Sequence, residues 1–198
     1  MTSQKQQVSA QEPVSQELVE PFVLAAHGNV AKVQELYEQH PEVLNVPWTK
    51  FDETALQASS HMGRREIAQY LLSKGAPLSI CAAAMLGMRD EVAAFLAQDA
   101  SLANARGAHG ISVLFHAAMS GQTAVAELLL ARGGGEGIDT ALHGAVNFGH
   151  TAMVGWLLAH GVTNVNAPNY EQKTPLRVAT ELGHTDIADL LRARGGTL

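Results

Sequence analysis

One cysteine, Cys81, stands in 198 residues, which excludes an intramolecular disulfide and suits a reducing compartment. Aromatic residues are scarce, 5% of a chain that is 46% hydrophobic. That balance fits an alanine- and leucine-rich helical stack and argues against a β-sandwich. Positive charge is in short supply: 13 Lys and Arg stand against 19 Asp and Glu, a formal net charge of -6. With no basic run to overcome the repulsion, neither nucleic acid nor an anionic membrane surface is an expected partner. The N-terminus lacks an apolar run of signal-peptide length, and no unbroken apolar stretch is long enough to span a bilayer. A cytoplasmic chain is expected.

What the chain has is self-similarity. Glycines Gly28, Gly63, Gly87, Gly121, Gly149 and Gly183 each close a helical run. Five residues after them stand Val33, Ala68, Val92, Ala126, Val154 and Ala188, and eight after them Leu36, Leu71, Phe95, Leu129, Leu157 and Leu191. A three-residue step of this kind marks one face of a helix. Three and four residues before the glycines the side chains are mostly small, as in Ala83-Ala84, Ala117-Ala118 and Ala145-Val146, so neighbouring helices can approach closely. Seven before come Leu56, Ile80, Leu114, Leu142 and Leu176, with Pro21 in the first copy. Each unit reads as helix, glycine turn, helix. Thr123, Thr151 and Thr185 are candidate caps for the second helices. Helices this short are marginal alone in water, so stability comes from stacking.

The pattern resembles the ankyrin repeat, most closely in Thr140-Ala141-Leu142-His143 with Gly149-His150 and in Thr174-Pro175-Leu176-Arg177 with Gly183-His184. The resemblance implies an all-α solenoid of six helix-turn-helix repeats, at about residues 20–48, 49–77, 78–106, 107–136, 137–168 and 169–198. Residues 1–17 are expected to be a disordered polar tail, and 18–198 the repeat domain. So compact a chain looks like a stand-alone bacterial ankyrin protein.

The glycines are separated by 35, 24, 34, 28 and 34 residues, alternating long and short. In the family a long connection projects as a β-hairpin finger, which places fingers at residues 45–52, 104–110 and 164–173. Before repeats 3 and 5 the fingers are shortened to Gly75-Ala76-Pro77 and to residues 133–137. Pro21 is expected in the first turn of an N-terminal cap, and Arg192 marks the C-terminal cap. Gly155, Gly144 and the glycine run before repeat 5 predict a soft joint between repeats 4 and 5.

No catalytic, cofactor or metal site is expected. His143, His150 and His184 match positions where the family uses histidine to bond loop backbones; the other six histidines are scattered with no pair at zinc-site spacing. Cys81 stands among Ile80, Ala82 and Ala83 and reads as inert, and the glycine run lacks the Walker lysine.

The positions just before the repeat glycines differ in character. The resemblance implies that they line a concave groove that contacts partners, and here they include Met62, Met85, Leu86, Met119, Phe148 and Leu182. Finger positions add Phe51, Ile111 and Tyr170, with Lys50, Glu53, His109, Glu171 and Lys173 at the rim. Methionine and aromatics are what protein interfaces favour. The expectation is a non-enzymatic, monomeric module that binds a partner protein through groove and finger tips. An inhibitor or regulatory subunit of an enzyme, and homotypic assembly through the groove, are the alternatives.

Overall fold

The computed structural model describes residues 13–198. Twelve α-helices form six antiparallel pairs. The pairs are α1 (Gln16–Ala26) with α2 (Val30–Gln39), α3 (Ala55–His61) with α4 (Arg65–Ser73), and α5 (Ile80–Leu86) with α6 (Arg89–Gln98). They continue with α7 (Val113–Ser120) and α8 (Thr123–Ala131), α9 (Ile138–Asn147) and α10 (Thr151–Ala159), and α11 (Pro175–Glu181) and α12 (Thr185–Ala193). First helices pack on first helices as an inner layer, and second helices form the outer layer, which is the expected solenoid. None of the twelve is long and apolar enough to cross a membrane.

Each repeat is organised by its turn. Gly63, Gly87, Gly121, Gly149 and Gly183 sit at φ between 65° and 73°, a left-handed conformation in which a side chain is strained. Side-chain caps fall on first helices except α9, and among second helices α2 alone has one, where Asn29 accepts from Lys32 N–H. Thr54 forms a full capping box with Gln57, and Ser79, Ser112 and Thr174 accept from Ala82, Phe115 and Arg177 N–H. Each such cap contributes about 1 kcal/mol. Thr123, Thr151 and Thr185 instead occupy the first helical position and cap nothing.

At the N-terminal end two expectations are corrected. Residues 1–12 of the expected tail lie outside the described residues, but Ser15 caps α1, which starts at Gln16 inside the expected tail boundary. The Gln16 amide holds it there: its Oε1 accepts from Thr49 N at 2.8 Å, and its Nε2 donates to Pro47 O at 3.2 Å. Pro21 therefore lies inside the helix, not in its first turn.

Among the described residues no strand forms. The long connections reduce to single antiparallel bridges, Trp48 with Glu53 and Arg106 with Ser112, and to a turn in which Asn169 N donates to Lys173 O at 2.9 Å. No bridge occurs in residues 75–77 or 133–137.

The joint between repeats 4 and 5 is tied rather than soft. Asn104 donates to Gly133 O at 3.0 Å and accepts from Gly135 and Glu136 N–H at 3.2 and 3.1 Å, fixing the glycine run. Helices α7 and α9 lie so close that a Cβ on Gly144 would stand 2.9 Å from Phe115 O. The buried apolar side chains instead divide between repeats 2 and 3. One cluster joins repeats 1 and 2 to Ala82, Met85, Leu86 and Met119; the other runs through repeats 3 to 6.

The inner layer curls across its middle repeats. Across repeats 3 and 4, Phe148 of repeat 5 reaches Gly63 of repeat 2, where an added Cβ would lie 2.3 Å from the ring. Met85 and Met119 are enclosed by this curl at 0% and 4% exposure. Met85→Ala is expected to cost about 3 kcal/mol in urea unfolding, the range for large-to-small core changes. Tyr170→Ala, at a side chain 90% exposed, should stay within about 0.5 kcal/mol of the unsubstituted chain.

Candidate functional site

The residues expected to meet a partner divide by burial. Met85, Leu86 and Met119 are core, because the curl of the inner layer closes over them; the expectation of an open methionine-lined groove is corrected. Met62 and Ile111 are half-buried. Phe51, Phe148 and Leu182 are 50%, 40% and 51% exposed, and Tyr170 is almost fully so. Leu24, three residues before His27, is equally exposed and went unnoticed in the sequence because it sits at a position where other repeats carry small side chains.

At the first finger these side chains assemble. Trp48 is buried and supports Phe51 edge to face at 4.9 Å between ring centroids, and His109 stands 5.8 Å from Phe51 on the other side. Lys50 Nζ lies 5.5 Å from the Trp48 ring centre and 5.3 Å from that of Phe51, a cation over aromatic faces. At the last finger Lys173 Nζ bridges Glu171 at 3.0 Å and Glu181 at 2.7 Å, while Arg177 holds Glu181 at 3.0 Å. Glu181 and Glu171 together raise the Lys173 ammonium above its ordinary value. These two fingers therefore offer different chemistry, one aromatic and cationic, the other a mutually paired charge network.

Glu53, expected at the rim, is fully buried. Three histidines from three repeats surround its carboxylate. His61 Nε2 lies 2.9 Å and His109 Nε2 3.4 Å from Oε1, and His27 Nε2 lies 3.6 Å from Oε2. Burial alone would raise the carboxyl; His61, His27 and His109 outweigh it and hold Glu53 below the ordinary value. Sequence reading treated these histidines as scattered. The signal that could have joined them is register: His27 is one residue before Gly28 and His61 two before Gly63, so stacking repeats 1 and 2 brings them side by side. Of the histidines with structural precedent, His143 bonds Ala167 O at 2.8 Å and His150 bonds Met119 O at 3.0 Å.

Behind the second finger lies an apolar cavity of about 320 Å³ lined by Ile80, Cys81, Phe95, Leu102 and His116 among others. Burial pushes the Cys81 thiol up to about 12, far from a reactive thiolate. Burial also pushes His116 down to about 4; its Nδ1–H donates to Ser112 O at 2.8 Å. The pair is a neutral wall, without a nucleophile and base.

Comparison with known proteins agrees with the repeat architecture. A family model described as ankyrin repeats in three copies matches residues 114–197, and one described as a single ankyrin repeat matches residues 51–83. Together the two matches cover more than half of the chain. The chain is also similar to the mouse nuclear factor NF-kappa-B p105 subunit, 41% identical over 56 residues, which is 28% of this chain and 6% of that protein. The chain thus aligns with only a small part of that relative's length.

His116 makes stability depend on pH. Its folded value, about 4, lies below the ordinary 6.5, so between those values the unfolded chain binds a proton that the folded chain does not. Stability then falls as pH drops from about 6.5 towards 4, by up to about 3 kcal/mol from this group. Urea unfolding of His116→Gln beside the unsubstituted chain over that range should show the slope reduced in the variant.

Proposed function

Because the chain belongs to the ankyrin repeat family, we propose that it acts as a protein-interaction module whose partner rests on the finger tips and rim rather than in the depth of the groove. One observation carries this reading. Phe51, Phe148, Tyr170 and Leu182 remain exposed, while the methionines between them are spent on the core. Large apolar side chains left in water on an otherwise well-packed stack mark interaction surfaces, and aromatics favour them because they give much contact area at little entropy cost. The Lys50 ammonium over Trp48 and Phe51 adds a cationic edge that favours a partner with acidic groups around an apolar centre. A contact of standard size needs about 800 Å² from each side.

Capture from source-cell lysate with the unsubstituted chain and with a Phe51→Ser, Phe148→Ser, Tyr170→Ser, Leu182→Ser variant tests the reading. The variant is expected to keep its helical circular dichroism and to lose a partner that the unsubstituted chain retains. Retention of that partner by the folded variant overturns the finger-and-rim surface. Assay of the captured partner's own activity, with and without this chain, then separates a regulator from a passive scaffold.

A further inference from the structure

We propose that His27, Glu53 and His61 form a binding site for a single Zn²⁺ ion, with His109 of the finger before repeat 4 standing against the same carboxylate. The site adjoins Phe51 of the partner-binding surface through His109 but does not rest on that reading.

The first ground is an imbalance of bonding. Glu53 is fully buried, yet neither carboxylate oxygen accepts a hydrogen bond, and the nearly buried His61 Nε2 is likewise without a partner. Buried polar groups are ordinarily satisfied, and a buried carboxylate strongly so. The close approaches of the three Nε2 atoms, at 2.9, 3.4 and 3.6 Å, have the distance of a contact without hydrogen-bond geometry. Donor atoms that surround a common point have this arrangement. In a tetrahedral zinc site, with bonds of about 2.0–2.1 Å, neighbouring donor atoms stand about 3.3 Å apart; His61 approaches Oε1 at 2.9 Å and His27 approaches Oε2 at 3.6 Å, on either side of that spacing.

The second ground is orientation. His27 Nδ1 lies 3.0 Å from Val23 O, a carbonyl that can only accept, so Nδ1 carries a proton and in the neutral ring the Nε2 lone pair faces Glu53. A backbone carbonyl on the far nitrogen is the usual outer partner of a metal-ligating histidine. Lone pair facing carboxylate is repulsive, and a cation between them makes it attractive. The donor atoms of His27, Glu53 and His61 all lie within 4.8 Å of one another. His109 approaches the same carboxylate at 3.4 Å from a left-handed backbone, φ 57°, which a non-glycine residue seldom adopts. Two imidazoles and one carboxylate, with the fourth position open to water, suit zinc, whereas Mg²⁺ and Ca²⁺ take six or more oxygens.

The third ground is the chain's own spacing. Repeat 3 has no finger of its own, only residues 75–77, and this gap lets the finger at residues 108–110 lean back to repeat 2. His27 and His109 are 30% and 41% exposed, which leaves a path for the ion to enter. The ion would tie repeat 1 to repeat 2, and the finger that carries His109 meets the site from beyond the boundary between repeats 2 and 3.

Chelator-treated protein titrated with ZnCl₂ by calorimetry is expected to bind one ion per chain, undiminished by excess Mg²⁺. Co²⁺ in its place should give the intense visible absorption of a tetrahedral site. A His27→Gln, His61→Gln variant should weaken zinc binding about 100-fold and His109→Ala about tenfold, the scale of losing a ligand or its support. His40→Gln with His160→Gln, both outside the cluster, should leave it unchanged. Absence of stoichiometric binding, or equal binding by the folded His27→Gln, His61→Gln variant, overturns the site. Should that variant not fold, imidazole NMR of the unsubstituted chain decides. Zinc must shift His27, His61 and His109 and leave His40 and His160 in place, and shifts confined to other histidines overturn the proposal.

Discussion

Everything in this molecule depends on how closely the inner helices approach. Ala82, Ala83 and Ala84 of α5, Ala117 and Ala118 of α7, and Ala141, Gly144 and Ala145 of α9 are all fully buried, and none has a side chain longer than one carbon. Nothing holds these helices apart, so the inner layer shortens relative to the outer, where Leu71, Leu129 and Leu157 keep the helices at full spacing. The stack must then curl inward. With fingers absent before repeats 3 and 5 there is no loop to wedge the inner edge open, and Phe148 meets Gly63.

That curl decides which apolar residues are surface and which are core. Burying a methionine side chain stabilises by about 1.5–3 kcal/mol, so Met85 and Met119 drive the closure as well as being covered by it. Phe51, Tyr170 and Leu182 stand outside the curl, on turns and at a helix end, and stay half or more exposed. The exposed apolar side chains therefore lie at the rim rather than on the floor of the groove for a packing reason.

Much of this was legible in the sequence. The six glycines and the three-residue apolar step give the repeats and their number, because each is a local rule about turns and helix faces. The exposure of Phe51 was also legible, since turns stay on the surface, whereas Trp48 beside it is buried. Burial of Met85, Leu86 and Met119 was not, because it depends on curvature summed over several repeats, and no single repeat encodes that sum. Capping was misplaced for a smaller reason: Thr123, Thr151 and Thr185 have the right chemistry one position too late. The glycine run before repeat 5 looked like slack, but Asn104, twenty-nine residues upstream of Gly133, uses it as a set of backbone donors and an acceptor.

The Glu53 cluster joins these threads. His27, His61 and His109 come from repeats 1, 2 and 4, and only a stack that stacks 1 on 2 in register and lacks a third finger brings them to one carboxylate. A carboxylate so placed is costly by burial alone, and a simple apolar residue at position 53 would pack with less penalty. Retention of a charge there requires a compensating cation, whether carried by the imidazoles or by an ion that they hold. The three Nε2 atoms fail hydrogen-bond geometry to Glu53 although they approach it closely, and His27 directs its proton to Val23 O, away from the carboxylate. Compensation by protons needs N–H groups aimed at the oxygens; compensation by a metal needs lone pairs aimed at a shared point. His27, with its Nδ1 proton on Val23 O, has Nε2 turned to the second, and no hydrogen bond to either Glu53 oxygen meets the first.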